Sequence, residues 1–168
     1  MNRIHLLFVL ITLFSFTMSN AQKTTVAVDI EKYAKTWYEI ARFPHRFEKG
    51  LTNVSATYSI IGENKISVLN KGIRSNNKTS QIKGVAWIPN KKETGKLKVR
   101  FFWPFAAPYW IHYVDEKYSV AIVGGPGNHY LWILADKPFI DNEVYNELIQ
   151  KAKEMGYAIE NLEKVNQK

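Results

Sequence analysis

The 168-residue sequence contains no cysteine. Three things are excluded with it: a disulfide-stapled scaffold, a thiolate nucleophile or metal site, and an acylated lipoprotein terminus, which needs a cysteine at its cleavage point. Stability must therefore come from a hydrophobic interior. The signatures of catalysis are missing as well. There is no Gly-X-Ser-X-Gly elbow, and Gly124-Gly125-Pro126-Gly127 is followed by a strand pattern rather than a helix, so it reads as a turn and not as a phosphate cradle. The four histidines, His5, His45, His112 and His129, fall at no metal-ligand spacing. Neither an enzyme nor a resident cofactor or metal is expected.

Charge is nearly absent from the opening segment. Met1 to Ala21 carries Arg3 alone, then an apolar run from Leu6 to Ile11 with Leu13 and Phe14, and closes on Ser19-Asn20-Ala21. Small residues at Ser19 and Ala21 are what a signal peptidase reads, so a secretory signal is predicted over 1–21 with cleavage before Gln22. A membrane-spanning helix would need about 20 largely apolar residues. Thr12, Ser15 and Thr17 interrupt this one. Residues 22–168 then form one domain, expected in the periplasm or outside the cell and without a lipid anchor. Its net charge is +7 once Arg3 has left. The positive residues are scattered, with Lys91-Lys92 the longest run, and no nucleic-acid motif accompanies them. A solvated surface with weak attraction for anionic membranes or ligands is the better account.

What is present is alternation with period two, the mark of antiparallel strands buried on one face. Asp29 can cap a short helical turn through Ile30 and Tyr33. Eight strands follow, near 36–43, 51–61, 65–74, 79–88, 96–102, 109–114, 118–123 and 129–135. Asp141 then opens a helix with Val144, Leu148, Ala152 and Met155 on one face, and Gly156 ends it. Residues 157–159 could add a short strand. Hairpin-length connections favour an all-β, eight-stranded up-and-down barrel with one helix packed outside. A two-sheet sandwich would want long crossover connections, and none is evident.

In such a barrel alternate connections share an end. Pro44–Gly50, Arg74–Lys78, Trp103–Pro108 and Gly124–Asn128 form the mouth. The Gly62 and Asp115 turns lie opposite with Asn90–Gly95. Alternation turns Ala56, Tyr58, Val68, Asn70, Ile82, Val99, Phe101, Tyr109, Ile111, Ala121, Tyr130 and Trp132 inward. Val54, Ile60, Gly84, Ala86, Leu97, Ser119 and Val123 join them. Eight strands can enclose one small ligand or fill solidly with side chains, and alternation does not separate the two. Arg42, His45, Arg46 and Lys49 stand near the mouth, where a carboxylate or phosphate head group could meet them. Glu39 faces inward with Trp37 and needs a partner there. Trp103 and Phe105 make either a lid or a lip that touches a membrane surface.

Thr36-Trp37-Tyr38-Glu39-Ile40-Ala41-Arg42-Phe43 resembles the lipocalins, nearest to the bacterial and apolipoprotein D-like types. His45-Arg46-Phe47-Glu48-Lys49-Gly50-Leu51, Asn70-Lys71-Gly72, Phe101-Phe102-Trp103-Pro104-Phe105, Gly125-Pro126 and Tyr130-Leu131-Trp132-Ile133-Leu134 carry the similarity on, over roughly Tyr33 to Gly156. The resemblance implies a calyx that stores or transports a fatty acid, lysophospholipid or similar lipid in the cell envelope, with Trp37 packed structurally across the closed end. Two other uses of the cup stay open: a haem or pigment with His129 as an axial candidate, and a protein gripped by the mouth loops. The sequence departs from the family pattern in three places. Lys35 stands where the glycine of Gly-X-Trp belongs. Asp136 stands where an arginine covers the buried tryptophan, and Lys137 beside it would need a shifted backbone to take its place. The lipidated cysteine of many bacterial relatives is absent. Asp115 and Tyr118 keep the signature at the turn into the seventh strand.

Overall fold

A computed structural model describes residues 25–167. The predicted signal segment, and with it the domain boundary, lies outside the described residues. Helix α1 (Ile30–Tyr33) begins at Asp29, whose carboxylate accepts from the Glu31 and Lys32 amides. Eight antiparallel strands follow: β1 (Thr36–Arg42), β2 (Thr52–Gly62), β3 (Lys65–Ile73), β4 (Thr79–Trp87), β5 (Lys96–Phe102), β6 (Phe105–Val114), β7 (Val120–Gly125) and β8 (Gly127–Ala135). Each pairs with the next, β8 pairs with β1, and β1 also pairs with β2, which closes the barrel. Helix α2 (Asn142–Glu154) packs outside. It ends before Gly156, whose φ of +80° favours glycine. Asp141 precedes the helix but makes no side-chain capping bond.

Two separate cores result from the alternation. Inside the barrel, Trp37, Tyr58, Val68, Leu97, Ile111, Ala121, Val123 and Leu134 form one cluster with Tyr33 from α1. The opposite faces of β7 and β8 supply Val120, Ile122, Leu131, Ile133 and Ala135 to a second, covered by Leu148 and Ala152 of α2, with Val144 and Met155 packed at its edge. These two strands are therefore apolar on both faces.

Several strand limits differ from the sequence expectation. β6 starts at Phe105 rather than at residue 109, because Phe102 pairs directly with Phe105 and leaves Trp103-Pro104 as a two-residue turn. Gly125 pairs with Gly127, so only Pro126 separates β7 from β8, and Gly127 has a φ of +102°. The strand expected at 157–159 is a 3₁₀ turn, Ile159–Asn161, and the added strand is β9 (Glu163–Lys164), antiparallel to β1. Ile60 is exposed, not internal. It lies beyond the start of β1 (Thr36 pairs with Thr57), where the β2–β3 hairpin projects past the barrel floor. Ser119 belongs to the turn before β7, where its amide and hydroxyl both donate to Asp115.

The closed end is built on Trp37. Its ring is fully buried, its Nε1 donates to the Tyr33 carbonyl at 2.9 Å, and the Tyr33 ring lies 4.9 Å away. Lys35 supplies the cation above it, with Nζ 5.4 Å from the indole centroid and donating to the Tyr118 carbonyl at 2.7 Å. Lys137 is exposed instead. Lys35 is not among the residues with positive φ, so no glycine is required there. Lys35 thus places over Trp37 a positive charge that Asp136 does not supply. Lys35→Gly is expected to cost about 1–3 kcal/mol in urea unfolding through the lost hydrogen bond and cation–π contact. Adding Asp136→Arg to that variant should recover part of the loss, whereas a purely additive pair would show that the two positions are uncoupled.

Candidate ligand site in the barrel

Inward-facing Ala56, Tyr58, Val68, Val99, Phe101, Tyr109, Ile111, Ala121 and Trp132 are brought together in the inner cluster. Ile82 and Asn70 lie half-buried on adjoining strands and pair across β3–β4, while Tyr130 is exposed at the rim and stacks on Trp132 at 5.8 Å. Gly84 leaves no vacant space. A Cβ there would meet the Phe101 ring at 2.7 Å, so the small residue is the seat of a large one. The β4–β5 pairing runs only from Val85↔Arg100 to Trp87↔Lys98. The upper half of β4 is thus laddered on its β3 side alone.

Three tyrosine hydroxyls meet in the interior. Tyr58 donates to Tyr109 at 3.0 Å, and Tyr109 shares a 2.7 Å hydrogen bond with Tyr33. Burial raises the pKa of all three, which keeps them protonated and the trio neutral. Tyr33 reaches this position from α1, and nothing in the strand alternation could have included it. Asn70 Oδ1 is different: it is buried with no hydrogen-bond partner among the described residues.

A charged wall occupies the β1 side near the mouth. Between Glu39 and Ala41 the β1–β8 register shifts by one residue, so Ile40 and Ala41 both join the outer core and Arg42 turns inward opposite Trp132. Arg42 is buried and four of its five N–H donors are committed. Nε donates to Glu163 Oε1 at 3.1 Å, Nη1 to Glu39 Oε2 at 3.1 Å, and Nη2 to the carbonyls of Glu48 and Leu51 at 2.8 and 3.3 Å. Glu48 accepts from Trp132 Nε1 at 3.3 Å. His45 lies under the Phe47 ring and edge-on to Trp132. Its Nε2 is 2.9 Å from Glu48 Oε2 without hydrogen-bond alignment, and its Nδ1 has no partner among the described residues. Of the head-group candidates, Arg42 and His45 are thus parts of an internal network, and Arg46 and Lys49 are exposed. The inward Glu39 signalled that a partner was needed; the bulge that delivers Arg42 left no mark in the sequence pattern. His129 is exposed on the rim.

A family model described as a lipocalin-like domain matches residues 28–167. The chain is a lipocalin. It is 41% identical over 135 residues to the outer membrane lipoprotein Blc of Citrobacter freundii, spanning 80% of this chain and 76% of that one. Temperature-induced lipocalin-1 of Arabidopsis thaliana is 37% identical over 160 residues (90% and 86% of the two chains), and bovine apolipoprotein D 35% over 127 residues (71% and 67%). Among solved structures, insecticyanin from the tobacco hornworm Manduca sexta superposes with a TM-score of 0.71 at 22% identity, over 85% of this chain and 83% of that one. Lobster apocrustacyanin A1 gives 0.66 at 19% identity, over 82% and 79%. These structures share the fold. Lipocalins are typically binding proteins rather than enzymes.

The lipocalin's charged wall titrates in an unusual range. Burial, then the neighbouring Glu48, push the Glu39 pKa up to about 8 against the pull of Arg42. Glu48 moves the other way: burial would raise it, but His45, Trp132 and Arg42 together hold it below the ordinary range. Between the ordinary carboxylate range and about 8, the folded state holds a proton on Glu39 that the unfolded chain has lost, so this group's contribution to stability falls as the pH rises through that window. Urea midpoints at about pH 5 and about pH 8 should show the decline in the wild type and a flatter profile in Glu39→Gln.

Proposed function

We propose that this lipocalin stores or carries one small lipophilic molecule (a fatty acid, a lysophospholipid or a similar lipid), held tail-first in the calyx with its polar group toward the mouth. The observation that carries this reading is Asn70. An unpaired amide oxygen buried in an otherwise apolar wall costs about 1–3 kcal/mol, and a ligand hydroxyl or a water brought with it would remove that cost. The apolar faces of Val68, Ile82, Val99 and Phe101 around the same half of the barrel suit an acyl chain, at about 0.8 kcal/mol per buried CH₂.

Charge favours the orientation. Four of the five N–H donors of Arg42 are already taken, the remaining one is on Nη1, which lies 3.9 Å from Glu48 Oε2, and the Glu48 carboxylate would repel an incoming anion. An anionic head group is better placed outside, near the exposed Arg46, Lys49, Arg74 and Lys78 of the mouth loops. Trp103 and Phe105 at the same rim support contact with a membrane surface. The names of the Blc and apolipoprotein D relatives accord with a lipid-associated role in the envelope. The sequence has no cysteine to carry the acyl anchor that a lipoprotein relative uses, so the protein is proposed to be periplasmic or secreted and unanchored.

Native mass spectrometry of the protein purified from its own envelope should show a discrete extra mass, released on extraction as a fatty acid or lysophospholipid. A bare mass, with no uptake when both lipids are offered, would overturn the carrier reading. Asn70→Leu should weaken lysophospholipid uptake about tenfold while leaving a plain fatty acid nearly unaffected. Equal loss for both would assign Asn70 to packing.

A further inference from the structure

We propose that the mouth of the barrel is a docking face for an anionic lipid bilayer, on which the protein stands mouth-down. The proposal rests on the carrier reading and names the surface from which the cargo is taken. Exposed aromatic area gathers at this end. Trp103 is 81% exposed, Phe105 78%, Phe47 71% and Phe102 69%. Three of the four belong to the β5–β6 hairpin, whose Phe102↔Phe105 pairing leaves only Trp103-Pro104 in the turn and holds the rings projecting from a strand end. Leaving such rings in water is costly, whereas the interfacial layer of a bilayer accepts them, tryptophan above all.

Charge identifies the bilayer. The loop after β1 carries Arg46 and Lys49, and the loop after β3 carries Arg74 and Lys78, all exposed. The one carboxylate in the four mouth connections, Glu48, is turned inward and buried. Glu163, beside β1, is paired with Arg42. The opposite end shows no such bias: Glu63 pairs with Lys91, Glu93 with Lys96, and Glu116 adjoins Lys117. Aromatic rings and cations of one sign therefore share one end of the molecule, matching an interface with phosphate at its surface and hydrocarbon beneath.

Sedimentation with vesicles of phosphatidylcholine alone, and of phosphatidylcholine mixed with phosphatidylglycerol, tests this. The mixed vesicles should bind at least about tenfold more tightly, less so as salt is raised. Arg46→Ser with Lys49→Ser should remove about tenfold or more of that preference. Trp103→Ser with Phe105→Ser should weaken binding to both vesicles, while lysophospholipid offered as micelles still loads the barrel by native mass spectrometry. Equal binding to the two vesicles, indifference to the rim variants, or dependence on Lys91 and Lys92 instead would overturn the docking face. Vesicle binding that fails while loading persists sinks this proposal alone; loading that fails while vesicle binding persists sinks the carrier reading alone.

Discussion

Arg42 is the constraint around which the mouth half of this barrel is arranged. A guanidinium does not deprotonate in a protein, so once buried it must be surrounded by acceptors. Here four acceptors come from three segments: Glu39 on the same strand, the Glu48 and Leu51 carbonyls from the loop after it, and Glu163 from β9. A chain without disulfides thereby ties its first strand, its main mouth loop and its C-terminal segment to one planar cation. The loop is fastened on its other side as Glu48 takes the Trp132 indole hydrogen. Removing any one acceptor would leave a guanidinium N–H without its partner.

The two ends of the barrel solve different problems. At the floor, Trp37, Tyr33 and Lys35 make a plug in which every polar atom named has a partner. In the upper half, Asn70 Oδ1 and His45 Nδ1 have none among the described residues, and the β4–β5 pairing is short. Satisfied polar groups confer rigidity, and unsatisfied ones mark where another molecule gains most by arriving. The same division separates the mixed charges of the floor turns from the mouth loops, whose exposed charges are all basic.

Most of the architecture was legible because period two survives wherever a strand is regular. Ala121, Val123, Leu134 and Trp132 face inward as alternation requires, and the apolar Leu131 and Ile133 between them are explained by the helix outside. Alternation failed where the backbone departs from a plain strand. The extra residue at Ile40 reverses the parity of Arg42, and the β2–β3 hairpin carries Ile60 beyond the barrel. The mouth connections were read as longer than they are because proline, glycine and aromatic residues mark loops by composition, whereas here Phe105–Pro108 and Gly127–Asn128 are strand. A small inward residue is no sign of room: Gly84 is small because Phe101 lies on it. Tertiary partners such as Lys35 over Trp37 leave no periodic trace at all.

The seam between β1 and β2 has one more consequence. The two strands pair directly only at Thr36–Tyr38 with Ser55–Thr57. Above that level residues 163–167 bridge them: Val165 donates to Ile40, Asn53 donates to Asn166, and Gln167 Nε2 reaches the carbonyls of Glu39 and Val54 across sequence separations of 128 and 113 residues. The first hairpin of the barrel therefore cannot complete its upper seam by itself, because the bridge comes from a segment 113 to 128 residues away along the chain. Contacts this distant along the chain close late and slowly. The β1–β2 wall is thus sealed only once contacts across more than a hundred residues have formed.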